Sequence, residues 1–169
     1  TNNGCTPAFI AAQNGHTEVL RLLAELGADV TTPTNNGCTP AFIAAQNGHT
    51  EVLRLLAELG ADVKTPTNDG CTPAYVAAHH GHVDLLSLQA ALGADVTPPT
   101  HEGPPPAWVA AAEGHAEVLR LLAELGADVQ KPMHGGFTPA IIAARYGHAK
   151  VIRLLASLKS ELVTETVAG

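Results

Sequence analysis

Residues 34–66 repeat residues 1–33 at every position but one, Lys64 standing where Thr31 stood. The same frame recurs at 67–99, 100–132 and 133–169, so a step of 33 residues runs through the chain. A period of this size predicts a stack of supersecondary units, each burying its apolar face on its neighbours, in place of one closed core. The expectation is a single domain, 1–169, of five units with no linker. Constancy between units then marks the scaffold, and function has to be read from their differences.

Each unit opens on a turn-forming tetrapeptide, Thr1-Asn2-Asn3-Gly4 in the first and Thr67-Asn68-Asp69-Gly70 in the third. Thr6-Pro7 follows, an N-cap and a first-turn proline, and predicts a short helix over 7–14 that Gly15 stops. A second helix over 17–26 carries Val19, Leu20, Leu22, Leu23 and Leu26 on one face and Glu18, Arg21 and Glu25 on the other. Arg21 is placed to pair with both carboxylates at helical spacing. Gly27 ends this helix, and Ala28-Asp29-Val30 leads through Pro33 into the next unit.

The run Gly4-x-Thr6-Pro7, Ala11-Ala12, Gly15-His16, Leu22-Leu23 and Gly27-Ala28-Asp29-Val30, repeated in phase over essentially the whole chain, resembles the ankyrin repeat. The resemblance implies an all-α solenoid of helix-turn-helix units with turn or β-hairpin fingers, five stacked repeats in all. It also implies a concave surface of fingers and first helices that binds other proteins. Several positions depart from the family pattern. Thr1, Thr34, Thr67, Thr100 and Met133 stand where Asp is usual, so one common tether between fingers must be replaced or missing. The usual Leu-His after Thr-Pro becomes Ala8-Phe9, Ala41-Phe42, Ala74-Tyr75, Ala107-Trp108 and Ala140-Ile141, a small residue making room for a larger neighbour. This aromatic series is expected to pack between units. The Asn that often follows Ala-Asp-Val, the usual site of hydroxylation, is replaced by Thr31, Lys64, Thr97 and Gln130.

Unit four enters through Gly103-Pro104-Pro105-Pro106, which removes the threonine cap and two backbone donors and predicts a rigid, poorly hydrogen-bonded finger. In unit five Lys159-Ser160-Glu161-Leu162-Val163 replaces Gly-Ala-Asp-Val; it is expected to extend a helix over 149–158 as a partial cap, with 164–169 frayed. Unit one has no polar cap, so its apolar face invites end-to-end self-association or the loss of neighbouring sequence. Thr1 lies inside a complete repeat with no initiator Met, which reads as a piece of something longer.

The formal charge is −7, and only unit five is net positive, through Arg145, Lys150, Arg153 and Lys159 against Glu161 and Glu165. Four acidic units argue against nucleic acid, whose phosphates need several Lys and Arg contacts, and make a neutral or basic protein partner easier. No apolar run approaches a membrane span. The three cysteines, Cys5, Cys38 and Cys71, share one position in successive units, too far apart for disulfides if units stack at helix-packing distance. That reads as a reducing, cytoplasmic setting.

For catalysis the sequence offers no phosphate loop and no nucleophile with a plausible base, and the cysteines lack basic neighbours. The chain is read as non-enzymatic, without cofactor or metal. His79-His80-x-His82 is set aside as a metal motif because adjacent helical side chains diverge and no carboxylate or Cys completes the set. The constant histidines His16, His49, His82, His115 and His148 are assigned to the turn between helices. Variation concentrates at unit positions two, three, five, thirteen and fourteen. The candidate partner-binding residues are therefore Asn68, Asp69, Cys71, His79 and His80 in unit three, His101, Glu102 and Glu113 in unit four, and His134, Phe137, Arg145 and Tyr146 in unit five. The leading function is an interaction module for a protein or peptide. The alternatives are a spacer or scaffold segment of a longer array and a regulatory fragment of a larger enzyme.

Overall fold

The computed structural model describes residues 3–97, 103–133 and 135–167, with side chains up to residue 159. Ten helices follow in pairs: α1 Pro7–Gln13 and α2 Thr17–Glu25, α3 Pro40–Asn47 and α4 Thr50–Glu58, α5 Pro73–His80 and α6 Val83–Ala91, α7 Pro106–Glu113 and α8 Ala116–Glu124, α9 Pro139–Tyr146 and α10 Ala149–Val167. No strand occurs among the described residues. The architecture is an all-α helical-repeat solenoid.

Local chemistry sets the helix starts. Thr39 Oγ1 accepts the amide of Phe42 at 3.0 Å, and Thr6, Thr72 and Thr138 do the same in their units. α7 starts at Pro106, and its N-cap residue Pro105 offers no side-chain cap, as Gly103-Pro104-Pro105-Pro106 predicts. The finger of unit four lies largely outside the described residues. α10 runs unbroken to Val167, so the fraying expected from 164 is not found through that residue. Without the glycine that ends α2, α4, α6 and α8, nothing stops the helix.

The first helices form one inner layer and pack more closely on one another than the second helices of the outer layer do. Alanine explains the difference: Ala12, Ala45, Ala78 and Ala111 are fully buried, and a methyl group lets neighbouring backbones approach. Leu20, Leu53, Leu86 and Leu119 fill the space between the layers. Phe9 and Phe42 are buried and Tyr75 and Trp108 half-buried, while Ile141, which no described unit covers, is exposed. The aromatic series therefore packs between units. On the outer face Arg54 meets Glu51 at 3.7 Å and Arg120 meets Glu117 at 3.4 Å. Arg54 and Arg120 each pair with one carboxylate, three residues back, where the helical spacing had allowed two, and Arg21, expected to pair with both Glu18 and Glu25, pairs with neither among the described residues.

The threonine at the position where Asp is usual closes its own finger and does not reach the neighbouring one. Thr34 Oγ1 accepts the amide of Cys38 at 3.2 Å, and the Thr34 amide donates to the Cys38 carbonyl at 2.9 Å; Thr67 and Cys71 repeat the arrangement. Neighbouring fingers are joined by single backbone bonds, Asn35 N to Asn3 O at 3.1 Å and Asn68 N to Asn36 O at 3.0 Å. Behind α2, α4, α6 and α8 an aspartate closes the return loop. Asp29 accepts the Thr31 amide at 2.7 Å and the hydroxyls of Thr31 and Thr32 at 2.6 and 2.8 Å. Those donors hold its carboxyl down to about 2.

Candidate functional site

A side-chain ladder along the stack fixes how the inner face is presented. The Nε2 of His49 lies 3.1 Å from the Gln13 carbonyl, that of His82 3.1 Å from Gln46, that of His115 2.9 Å from His79 and that of His148 2.7 Å from Ala112. A carbonyl can only accept, so Nε2 carries the proton in each. The histidines begin the second helices through their backbones, but their rings reach back to the preceding unit. The local turn role expected from sequence is corrected: the rings bond between units, not within the turn. The ladder also explains why unit position thirteen varies freely. Its carbonyl makes the contact, so the side chains of Gln13, Gln46, His79 and Ala112 are left for other work.

A groove of about 610 Å³ runs along the fingers and first helices of units one to three. Phe9, Phe42 and Ile43 supply its apolar floor, Asn35 and Asn36 its polar rim, and Cys5, Cys38 and Cys71 line it in register. Of the candidate residues, Asp69 and Cys71 belong to this groove. Asn68 is exposed beside it, its Nδ2 donating to the Asn35 carbonyl at 3.2 Å.

Where units three and four meet, His79 is half-buried, with Nε2 3.9 Å from Glu113 Oε1 and its ring centroid 6.4 Å from that of Tyr75. His80 is exposed, yet its Nδ1 is tied to the Val76 carbonyl at 2.9 Å and its ring stacks on His82 at 5.9 Å. In unit five Phe137, Arg145 and Tyr146 are all exposed, with Tyr146 beside His148 at 6.4 Å. His101, Glu102 and His134 lie outside the described residues. Among the described residues no group of three or more His, Cys, Asp or Glu side chains is placed to hold a metal ion.

Paired helices, a histidine ladder and an inner face of fingers and first helices are now in place beside the repeated Thr-Pro and Gly-Ala-Asp motifs. A family model described as ankyrin repeats (3 copies) matches residues 1–67, 27–100 and 75–166. The chain belongs to the ankyrin-repeat family. Among curated proteins, none shows significant similarity to it. Ankyrin repeats are generally protein-interaction modules. No helix among the described residues is long and apolar enough to cross a membrane.

The thiols of this ankyrin-repeat chain are free and set up for packing, not reaction. Burial, and then the neighbouring thiols of Cys5 and Cys71, push the Cys38 thiol up to about 11; burial and Asp69 raise Cys71. Neither presents a thiolate nucleophile near neutral pH. The part of the groove built by units one and two escaped sequence reasoning because two units alike at every inner position offer no variation to read. The signal that would have found it is the identical register of Cys, Phe and Asn at the inner positions.

Burial depresses the His82 imidazole below its ordinary value, helped by His80, His115 and His49 and opposed by the bond to Gln46. The unfolded imidazole, with a pKa of about 6.5, then takes up its proton first, so stability is full well above that pH and declines as pH falls below about 6.5. Urea midpoints across this window should fall more steeply for the native chain than for His82→Gln. Identical slopes would remove His82 as the cause.

Proposed function

We propose that the chain acts as a non-enzymatic interaction module, one domain over 1–169, holding a protein or peptide partner along its fingers and first helices. The observation that carries this reading is the separation of labour at unit position thirteen. Its backbone locks neighbouring units together, and its side chain changes from Gln to His, Ala and Arg without loss of the scaffold. Exposed side chains next to it change as well. Phe137, Arg145 and Tyr146 offer aromatic and guanidinium contacts of the kind that dominate interface energies. His79, His80, Glu113, Asn68, Asp69 and Cys71 extend the surface towards the groove, and His101, Glu102 and His134 complete the proposed set.

Net charge bears on the partner. Units one to four are acidic, so a neutral or basic polypeptide is favoured over nucleic acid, and its association should weaken with salt. The free thiol ladder suits a reducing, cytoplasmic setting.

Peptides selected from a displayed random library on the intact protein supply a ligand for titration. Changing Phe137, Arg145 and Tyr146 together to alanine should weaken binding about tenfold or more, since hot-spot truncations cost about 2 kcal/mol or above. Helicity and melting should stay near native, because all three side chains are exposed. Matching changes at Cys5, Gln13 and Asn14 of unit one should cost less. Ligands that ignore both sets but are lost on changing the outer-face Arg54 and Glu58 would overturn the reading.

A further inference from the structure

Units one and two differ by one residue, so any difference in burial between them reports what sits against each. Ile43, Val52 and Leu55 of unit two are 8%, 1% and 3% exposed, and the same residues of unit one, Ile10, Val19 and Leu22, are 45%, 49% and 53% exposed. The face is built for a neighbour, and the neighbour that covers it in unit two is the far side of unit one itself. That far side is carried by Phe9, Ala12 and Gly15, against which the His49 ring rests: a Cβ on Gly15 would meet it at 2.8 Å. Unit five presents the corresponding positions bare. Ile141 is 47% exposed, Ala144 is exposed, and a Cβ on Gly147 would meet nothing within 4 Å.

We infer that the chain self-assembles head to tail, the Ile10–Val19–Leu22 face of one copy stacking on the Ile141–Ala144–Gly147 face of a second copy and continuing the solenoid across the junction. The His16 backbone is bonded to Ala11 and Leu20, but its ring has no hydrogen-bond partner among the described residues; in register, that ring reaches the Arg145 carbonyl of the second copy, the position-thirteen acceptor that His49, His82, His115 and His148 use within the chain. Charge selects the same pairing. Unit one is net negative and unit five net positive. Position eighteen reads Glu18, Glu51, Asp84 and Glu117, then Lys150, and Glu117 and Lys150 already line one surface pocket between neighbouring units. Lys150 of one copy would meet Glu18 of the next in the same way. Pairing unit one with another unit one would instead bring two net-negative units together and leave the His16 ring without the position-thirteen carbonyl. Joining unlike faces is heterologous and does not close after two copies, so the assembly grows with concentration.

The test is light scattering with in-line chromatography on the whole chain. The native protein should exceed its monomer mass of 17.4 kDa and grow with concentration. Leu22→Glu and Ile141→Glu alter exposed side chains, so each should keep native circular dichroism, and each should run alone as a monomer. Mixed in equal amounts they should form a species of two chains and no larger, because each supplies the face that the other lacks. Glu18→Lys should weaken assembly severalfold, and Glu18→Lys with Lys150→Glu should restore it. Three results overturn the inference: a native monomer at every concentration, dimers of Ile141→Glu alone, or a mixture that stays monomeric. The first leaves the bare face to a further repeat on the same polypeptide, and the second to a face-to-itself contact.

Discussion

Replacing Gly48 by alanine lowers stability by about 2–4 kcal/mol, the sum of a left-handed backbone and an overpacked contact. Gly48 has φ +75°, where a side chain strains the backbone, and its Cβ would lie 2.7 Å from the His82 ring. That ring cannot retreat without leaving the Gln46 carbonyl, to which its Nε2 is bonded at 3.1 Å. Gly147 supplies the control. Its φ is +79° but no atom stands within 4 Å of its Cβ position, so alanine there costs only the backbone share of about 1–2 kcal/mol. Urea unfolding of the two variants, measured side by side, separates the contributions. Equal losses would show that the histidine ladder yields freely and does not couple the units.

Gln89→Leu works in the opposite direction and should stabilise the array by about 1–3 kcal/mol, the range for relieving a buried unsatisfied polar group. Gln89 is fully buried; its Nε2 reaches the Val63 carbonyl only at 3.5 Å and its Oε1 has no partner among the described residues. The corresponding positions hold Leu56, Leu122 and Leu155, all buried, so the site between layers already accepts leucine in its sister units. Because stability in a stacked array is close to a sum of unit and interface terms, relief at the central unit should also sharpen the unfolding transition. A drop in the urea midpoint would mean that the amide is satisfied by groups beyond the chain's own atoms, and Gln89 would then belong to function.

These two residues differ in how visible they were. The constant Gly-His pair is conspicuous in every unit, yet the identity of the ring's partner, 36 residues back, is not, because hydrogen bonds across units leave no local spacing to read. Gln89 occupies an apolar position of a repeated helix and is legible as an exception only when the units are laid over one another. The inner-face candidates were legible as variation, which is why they fall in units three to five and reach the groove only at Asp69 and Cys71, while its walls in units one and two were not legible. The thiols were placed correctly in register, but their burial followed from the packing of the fingers around Thr34 and Thr67.

By itself the sequence determined everything that depends on bonds a few residues apart. That includes the 33-residue unit, the two helices in each, the Thr-Pro starts with their one failure at Pro105, and the glycine stops whose absence lets α10 run on. What only the tertiary structure decided is which copy of a residue is inside. Leu22 and Leu55 sit in identical helices, and one is bare while the other is buried. The hydrophobic effect acts on the area a neighbour removes from water, and a neighbour one unit away is a property of the stack, not of the helix.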